Sequence, residues 1–89
     1  MNAITSTTDI ATCVVFALNG PGKIRADDIS GDETVTLYEE RVDGDYEPYR
    51  ANGNQVKLIA TQPSLNVELY GNFKALKSSD TIGDVGYEV

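Results

Sequence analysis

Apolar and polar residues alternate with a period of two along much of this 89-residue chain. In the segment SLNVELY, Leu65, Val67 and Leu69 are separated by other residues, and in TVTLYEE the apolar positions are Val35 and Leu37. A period of two places every second side chain on the same face, as in a half-buried β-strand. No segment shows the 3.6-residue period of an amphipathic helix, so the pattern predicts an all-β chain.

Turn-forming residues interrupt these segments about every ten residues. Gly, Pro, Asn and Asp recur at the interruptions, among them Gly20-Pro21-Gly22, Asp43-Gly44, Asn52-Gly53-Asn54 and Gly71-Asn72. Short strands at this spacing are typical of all-β sandwiches and barrels. We therefore predict one domain, a small Ig-like antiparallel β-sandwich of seven to eight strands in two sheets. The predicted strands are the segments 13–19, 23–27, 33–42, 45–49, 55–60, 64–71, 72–77 and 85–89.

The first twelve residues, MNAITSTTDIAT, differ from the rest of the chain. They are rich in Ser, Thr and small residues, with Ile4 and Ile10 as the larger apolar positions. Thr and Ile suit extended backbone, so residues 1–12 are predicted to be an N-terminal arm or an edge strand. We favour an arm that is only partly ordered in the isolated chain. Residues 13–89 are predicted to form the sandwich domain.

The stretch RVDGDYEPYR, residues 41–50, has two interpretations. Its alternating acids could ligate a hard cation, but it lacks the glycine and the final acid of a calcium loop at the required spacing. Asp43-Gly44 instead favours a two-residue type I′ turn between strands. Pro48 has no amide donor, so the outgoing strand is expected at a sheet edge. The hairpin is our prediction, and a non-standard oxygen site is the alternative.

Charge restricts the classes of partner. The chain has 14 acidic and 7 basic residues, a net charge of −7, and nine of the acids lie between Asp27 and Glu47 with Arg41 as the one base among them. Phosphate backbones and anionic membrane surfaces attract basic proteins and repel a chain of this charge. We therefore expect no nucleic-acid and no membrane partner. The acidic face could instead contact a basic patch on another protein.

The residue types give little support for catalysis. The chain has no histidine, and its one cysteine, Cys13, lies in the most apolar segment, where a buried, unreactive thiol is expected. We predict a non-enzymatic protein with no catalytic, cofactor-binding or metal-binding residues.

Four residues are candidates for a protein interface. Tyr46 and Tyr49 flank Pro48, and exposed tyrosines are favoured at interfaces, although ordinary cross-strand packing is the alternative for both. Ile4 and Ile10 are the two isoleucines of the N-terminal segment, which could become ordered on binding.

Several short features follow residue 27 in a characteristic order. They are Glu33-Thr34-Val35, Asp43-Gly44, Leu58-Ile59-Ala60-Thr61, Gly71-Asn72-Phe73-Lys74, Lys77 and Gly83-Asp84-Val85-Gly86. In these features the chain resembles small β-sandwich virion proteins of tailed bacteriophages, of the capsid-decoration and head-fibre-base type. The resemblance covers about two-thirds of the chain, and Tyr70-Gly71-Asn72 departs from the Gly-Pro-Gly that often precedes the aromatic residue in such proteins.

This resemblance implies a structural role and no catalytic residues. It suggests a virion protein, made in the host cytoplasm, that binds phage coat protein or another virion protein. It also implies a repetitive partner surface and a homo-oligomer, with a trimer as one form. The alternative is a monomeric Ig-like ligand- or glycan-binding adhesion module that uses Tyr46, Tyr49 and nearby loops.

Overall fold

The segments with a period of two form antiparallel β-strands. In the computed structural model, which describes residues 2–51 and 53–88, these residues contain nine strands and one turn of 3₁₀ helix. The predicted membership of Val89 in the last strand and of Asn52 in a turn, and the placement of Met1 in the N-terminal segment, lie outside the described residues. The elements are β1 Asn2–Ile4, the 3₁₀ helix Ile10–Thr12, β2 Phe16–Ala26, β3 Thr34–Glu40, β4 Tyr46–Pro48, β5 Arg50–Ala51, β6 Asn54–Gln55, β7 Lys57–Ile59, β8 Ser64–Lys77 and β9 Val85–Glu88.

Seven of these strands belong to one antiparallel sheet that folds over itself. The order is β1-β9-β2-β8-β3-β4, with β7 also paired to β3, while β5 and β6 form a separate hairpin. Ile24 of β2 and Val35 of β3 line the same internal space although neither strand pairs with the other. The parts of the sheet on the two sides of β8 thus face each other, and the predicted small antiparallel β-sandwich is confirmed.

The two longest strands correct the predicted breaks. The sequence predicted that strands end at Gly20-Pro21-Gly22 and at Gly71-Asn72, whereas β2 and β8 continue through these residues. Gly20 and Gly71 have φ angles of +118° and +119°, values that residues with a Cβ rarely adopt. Gly20 is opposite Leu69 and Gly71 is opposite Leu18. The glycines therefore bend a paired ribbon from one layer into the other without interrupting its ladder.

The core lies between the two layers. It includes residues from both halves of β2 and β8, so the bent ribbon contributes to both walls. Cys13 is buried, as predicted, with its Sγ 3.1 Å from the carbonyl oxygen of Ala75. The buried cluster consists of Ile4, Phe16, Leu18, Ile24, Ala26, Val35, Leu37, Leu58, Leu69, Phe73, Ala75, Ile82 and Val85.

The N-terminal segment packs along the sheet. Strand β1 pairs with β9 at one end of the sheet, and Ile4 is buried. Further along, the carbonyl of Thr7 accepts a hydrogen bond of 2.8 Å from the Lys77 amide, and the Ser6 hydroxyl donates to the Ala75 carbonyl. Because β2 begins opposite Phe73, this segment covers the part of β8 that β2 leaves unpaired.

Residues 40–46 form the predicted hairpin with a different turn. The Arg41 amide donates to Asp45, and the Gly44 amide donates to Arg41, at 2.7 and 2.9 Å. Gly44 has a φ of +88°, but Asp43 does not have a positive φ. A type I′ turn needs positive φ at both central residues, so the prediction of that turn was wrong. The loop is a type I turn followed by a glycine bulge.

Strand β4 lies at the sheet edge, as Pro48 predicted. The edge next to β3 is formed by two pieces of chain, β4 and β7, because β5 and β6 pair with each other outside this sheet. The Tyr49 amide donates to the Leu37 carbonyl, and the Leu37 amide donates to the Val56 carbonyl. The Val56 amide in turn donates to the Tyr49 carbonyl. The amides of Leu37, Tyr49 and Val56 are therefore all hydrogen-bonded at the point where the β5–β6 hairpin leaves the sheet.

Candidate interaction surface

A groove lies between the 3₁₀ helix and the β3–β4 hairpin. We call it the hairpin groove; it has a volume of about 410 Å³ and is lined by Ile10, Ala11, Asp45, Tyr46, Glu47 and Lys74, together with Gly44. The helix is held by its own N-cap, because the Asp9 carboxylate accepts from the Ala11 amide at 3.0 Å. The opposite wall is the hairpin whose turn is set by Gly44.

Lys74 joins the two walls of the hairpin groove. It follows the bend of β8, and its Nζ donates to the carbonyl oxygen of Ile10 at 3.1 Å. The same ammonium lies 4.6 Å from the centre of the Tyr46 ring, within the range of a cation–π contact. Lys74 thus fixes the distance between the N-terminal segment and β4.

Tyr46 is further held by an acid on the paired strand. Its hydroxyl donates to Glu40 Oε2 at 3.2 Å, and Glu40 and Tyr46 are directly opposite each other. Partial desolvation, this hydrogen bond and the negative charge of Glu40 all raise the pKa of the Tyr46 phenol above its ordinary value. The ring therefore stays neutral and remains a hydrogen-bond donor at physiological pH.

The hairpin carries five acids and one base between Glu39 and Glu47. Glu39 and Glu47 are directly opposite each other, an arrangement of like charges that destabilises a strand pair. Arg41 lies between them, with N–O distances of 3.0 Å to Glu39 and 3.6 Å to Glu47. These side chains are solvated, so the ion pairs contribute little to stability. The hairpin presents a net negative surface, with Val42 fully exposed at its tip.

One carboxylate of the hairpin, that of Asp43, supports its turn. Asp43 Oδ1 accepts from the Asp45 amide at 3.1 Å, which is the local contact expected of an aspartate in a turn. Within residues 2–51 and 53–88, no group of three or more acidic, cysteine or histidine side chains is placed to hold a metal ion. In the same part of the chain, no helix is long and apolar enough to cross a membrane.

The four predicted interface residues fall in different environments. Ile10 and Tyr46 meet in the hairpin groove through Lys74. Tyr49 is half-buried and packs edge-on against Phe73, with ring centres 6.0 Å apart. Ile4 is only 7% exposed and belongs to the core. The structure therefore brings together two of the four, and Ile4 is not available to a partner in this conformation.

Sequence reasoning missed Lys74, which organises the groove, and the exposed valines. A lysine among the apolar residues of NFKALK gives no signal of a contact with a residue 64 positions away. Val42 could have been noticed, because an apolar residue next to a predicted turn has no core to enter. Val14 and Val15 are also exposed, because the strand predicted from residue 13 begins only at Phe16.

Comparison with models of protein families, with curated proteins and with solved structures gave no significant match.

Proposed function

We propose that the protein is a non-enzymatic structural protein of a bacteriophage virion. In this proposal it is made in the host cytoplasm and binds the coat lattice as a capsid decoration protein or another head or tail accessory protein. It acts by occupying a repeated site on the particle and not by chemistry at a reactive centre.

The observation that supports this proposal is the position of the residues that resemble phage virion proteins. Glu33-Thr34-Val35 leads into β3, Asp43-Gly44 forms the hairpin tip, and Gly71-Asn72-Phe73-Lys74 spans the bend of β8. Gly83-Asp84-Val85-Gly86 leads into β9. These residues build turns, bends and strand starts, so the resemblance follows the architecture of the sandwich.

The hairpin groove and the hairpin tip are the surface that we assign to the coat lattice. The acids of the hairpin would attract a basic patch, and Val42 would bury its side chain in the contact. A single small surface gives weak binding, but linked copies on a symmetric lattice gain affinity through their high effective concentration. A homo-oligomer, such as a trimer, would supply that linkage.

Mass spectrometry of purified virions tests the proposal. We expect the protein in particles purified by density gradient, at a constant ratio to the coat protein. Its absence from the particles would refute a virion role. So would binding of the isolated monomer to defined glycans on an array, together with sedimentation as a monomer, because that result fits the adhesion module.

A binding experiment with coat particles tests the surface itself. The double variant Val42→Ser with Asp45→Lys should lower the amount of protein that cosediments with particles lacking it. The matched control is Thr61→Ser with Asp80→Lys, which makes an equal change of charge in exposed loops elsewhere. Equal loss in both variants would show that overall charge, and not this surface, determines binding.

A further inference from the structure

The first half of β8 has an open backbone edge. On one side, residues 64–73 pair with β2, and on the other side β3 pairs only with residues 73–77. In the part of the chain that the structure describes, no strand or backbone hydrogen bond is recorded on the β3 side of residues 64–72. We call the stretch 64–70 the open edge.

The register shows which amides point outward from this edge. The Ala26 amide donates to Pro63 at 2.9 Å, in line with the β2–β8 pairing in which Arg25 is opposite Ser64. Hydrogen-bonded and non-hydrogen-bonded pairs alternate in an antiparallel ladder. The odd-numbered residues of β8 therefore bond to β2. The amides and carbonyls of Ser64, Asn66, Glu68 and Tyr70 point to the open side.

Two further observations agree with this assignment. Pro21 has no amide donor and is opposite Glu68, a position where no ladder bond to β2 is required. At the other end of β8, the amide of the odd-numbered Lys77 bonds to the N-terminal segment, on the side where β2 lies.

An apolar groove runs beside the open edge. It has a volume of about 310 Å³ and lies between β8 and the β5–β6 hairpin, with Tyr49, Ala51, Val56, Leu65, Val67 and Leu69 in its walls. Leu65 and Val67 point towards the core but are only half-buried. A strand added at the open edge would continue the sheet and cover these two side chains with every second residue of its own.

Charge determines which strand fits. Glu68 projects from the outer face of β8, where Tyr70 donates to it at 3.4 Å, and no cation pairs with it among the described residues. Directly opposite it on β2 is Pro21, which offers no charge, and the nearby Lys23 and Glu88, which line the same surface depression, have opposite charges. A second copy of the chain would bring its own net charge of −7 and be repelled. A strand with a lysine or arginine opposite Glu68 would be attracted.

We propose that the open edge binds an extended, basic segment of a partner protein by β-strand addition. The segment alternates apolar side chains, which enter the groove against Leu65 and Val67, with basic side chains on the outer face near Glu68. Strand addition at the open edge does not require the protein to be part of a virion. Its test is therefore independent of the test of the virion role.

Three synthetic peptides and backbone hydrogen exchange measured by NMR test the proposal. The first peptide alternates valine and lysine, and the second alternates valine and glutamate. The third is the first peptide with proline in place of its valines, so that it keeps the charge but loses those amide donors. Only the first should bind. It should slow exchange of the Asn66, Glu68 and Tyr70 amides by about tenfold or more, since exchange reports local protection. Protection confined to the 39–47 hairpin would show simple charge attraction and overturn the proposal.

Two variants locate the contact. Asn66→Pro removes an outward amide while leaving the bonds to β2, so it should abolish peptide binding, whereas Asn66→Ala should retain it. Glu68→Lys keeps every backbone group and should strongly reduce the preference for the lysine peptide over the glutamate peptide, although the chain as a whole stays acidic. If Asn66→Pro does not fold, the Glu68→Lys result alone decides. Concentration-dependent protection of these amides without peptide would assign the edge to a second copy and refute the proposal.

Discussion

Gly20 and Gly71 are diagonal neighbours in β2 and β8, and their φ angles are nearly the same, +118° and +119°. The position where a Cβ would project at either glycine is open, because no atom beyond the two adjacent residues lies within 4 Å of it. A substitution there would therefore meet no steric clash with neighbouring groups. Its cost comes from the backbone, since side chains disfavour this conformation.

Gly71→Ala should lower the free energy of unfolding by about 1–3 kcal/mol, the usual cost of holding a residue in a disfavoured backbone conformation. The expected signal is a lower urea midpoint with an unchanged slope. The control is Asn72→Ala at the adjacent exposed position, which should change stability by less than about 0.5 kcal/mol. Equal midpoints for Gly71→Ala and the wild type would contradict the strain argument.

Glu33 is the residue whose titration the structure shifts towards acid. The Thr81 hydroxyl and the Ser30 amide both donate to its carboxylate, and these bonds lower its pKa below the ordinary 4.5. Since the folded pKa lies below the unfolded one, the stabilisation is complete above about pH 4.5 and is lost as the pH falls through the folded pKa.

Thr81→Val removes the larger of these effects and should raise the pKa of Glu33 towards 4.5. An NMR titration of the side-chain carboxyl carbon of Glu33 measures this pKa directly. Because the exposed Thr61 donates no recorded bond to Glu33, Thr61→Val should leave the titration unchanged. A Glu33 titration that Thr81→Val does not move would show that the Ser30 amide and the Ser79 hydroxyl, and not Thr81, lower the pKa.

At the scale of elements, the sequence predicted which segments are strands better than where strands end. Alternation identified β3 and β8 because their inward residues are buried. It failed at Gly20-Pro21-Gly22 and Gly71-Asn72 because glycine and proline occur both in loops and at bends of continuous strands. Only the pairing of the two glycine sites across β2 and β8, which requires the register, distinguishes these cases.

The hairpin groove was only partly predictable for a similar reason. Tyr46 and Ile10 could be named from their residue types, but the contact between them passes through Lys74, which is distant from both in sequence. The burial of Ile4 was not predictable, because the alternation of the N-terminal segment is too short to show that this segment pairs with β9.

Lys74→Met tests whether the lysine holds the N-terminal segment against the hairpin. Loss of the bond to Ile10 should speed amide exchange at Thr12, whose N–H donates to Asp9 within the 3₁₀ helix, by about tenfold through local opening. The matched control is Lys77→Met, at the end of the same strand, where exchange at Thr12 should stay as in the wild type. Unchanged exchange at Thr12 in Lys74→Met would mean that backbone contacts alone hold the segment.

At the scale of the whole molecule, charge acts against folding. The net charge of −7 is concentrated in a small domain, and the recorded ion pairs among the described residues are solvated. Repulsion between the acids therefore raises the free energy of the compact state relative to the unfolded chain. Composition alone showed this imbalance, but only the structure shows that the acids of the hairpin lie side by side.

Salt should therefore stabilise the protein at neutral pH. We expect the thermal midpoint at pH 7 to rise by several degrees as sodium chloride increases to about 0.5 M, because the Debye length shortens and screens the repulsion. The same titration near the isoelectric point of about 4.2 should show a much smaller rise. A midpoint that falls with salt at pH 7 would indicate that attractive pairs dominate.

The bent ribbon of β2 and β8 affects how cooperatively the domain unfolds. Each of these two strands is part of both layers, and the ladder between them continues past both glycines. Separating the layers would require breaking the ribbon that supplies residues to both of them. We therefore expect no state in which one layer survives alone, and the sandwich should melt as a single cooperative unit.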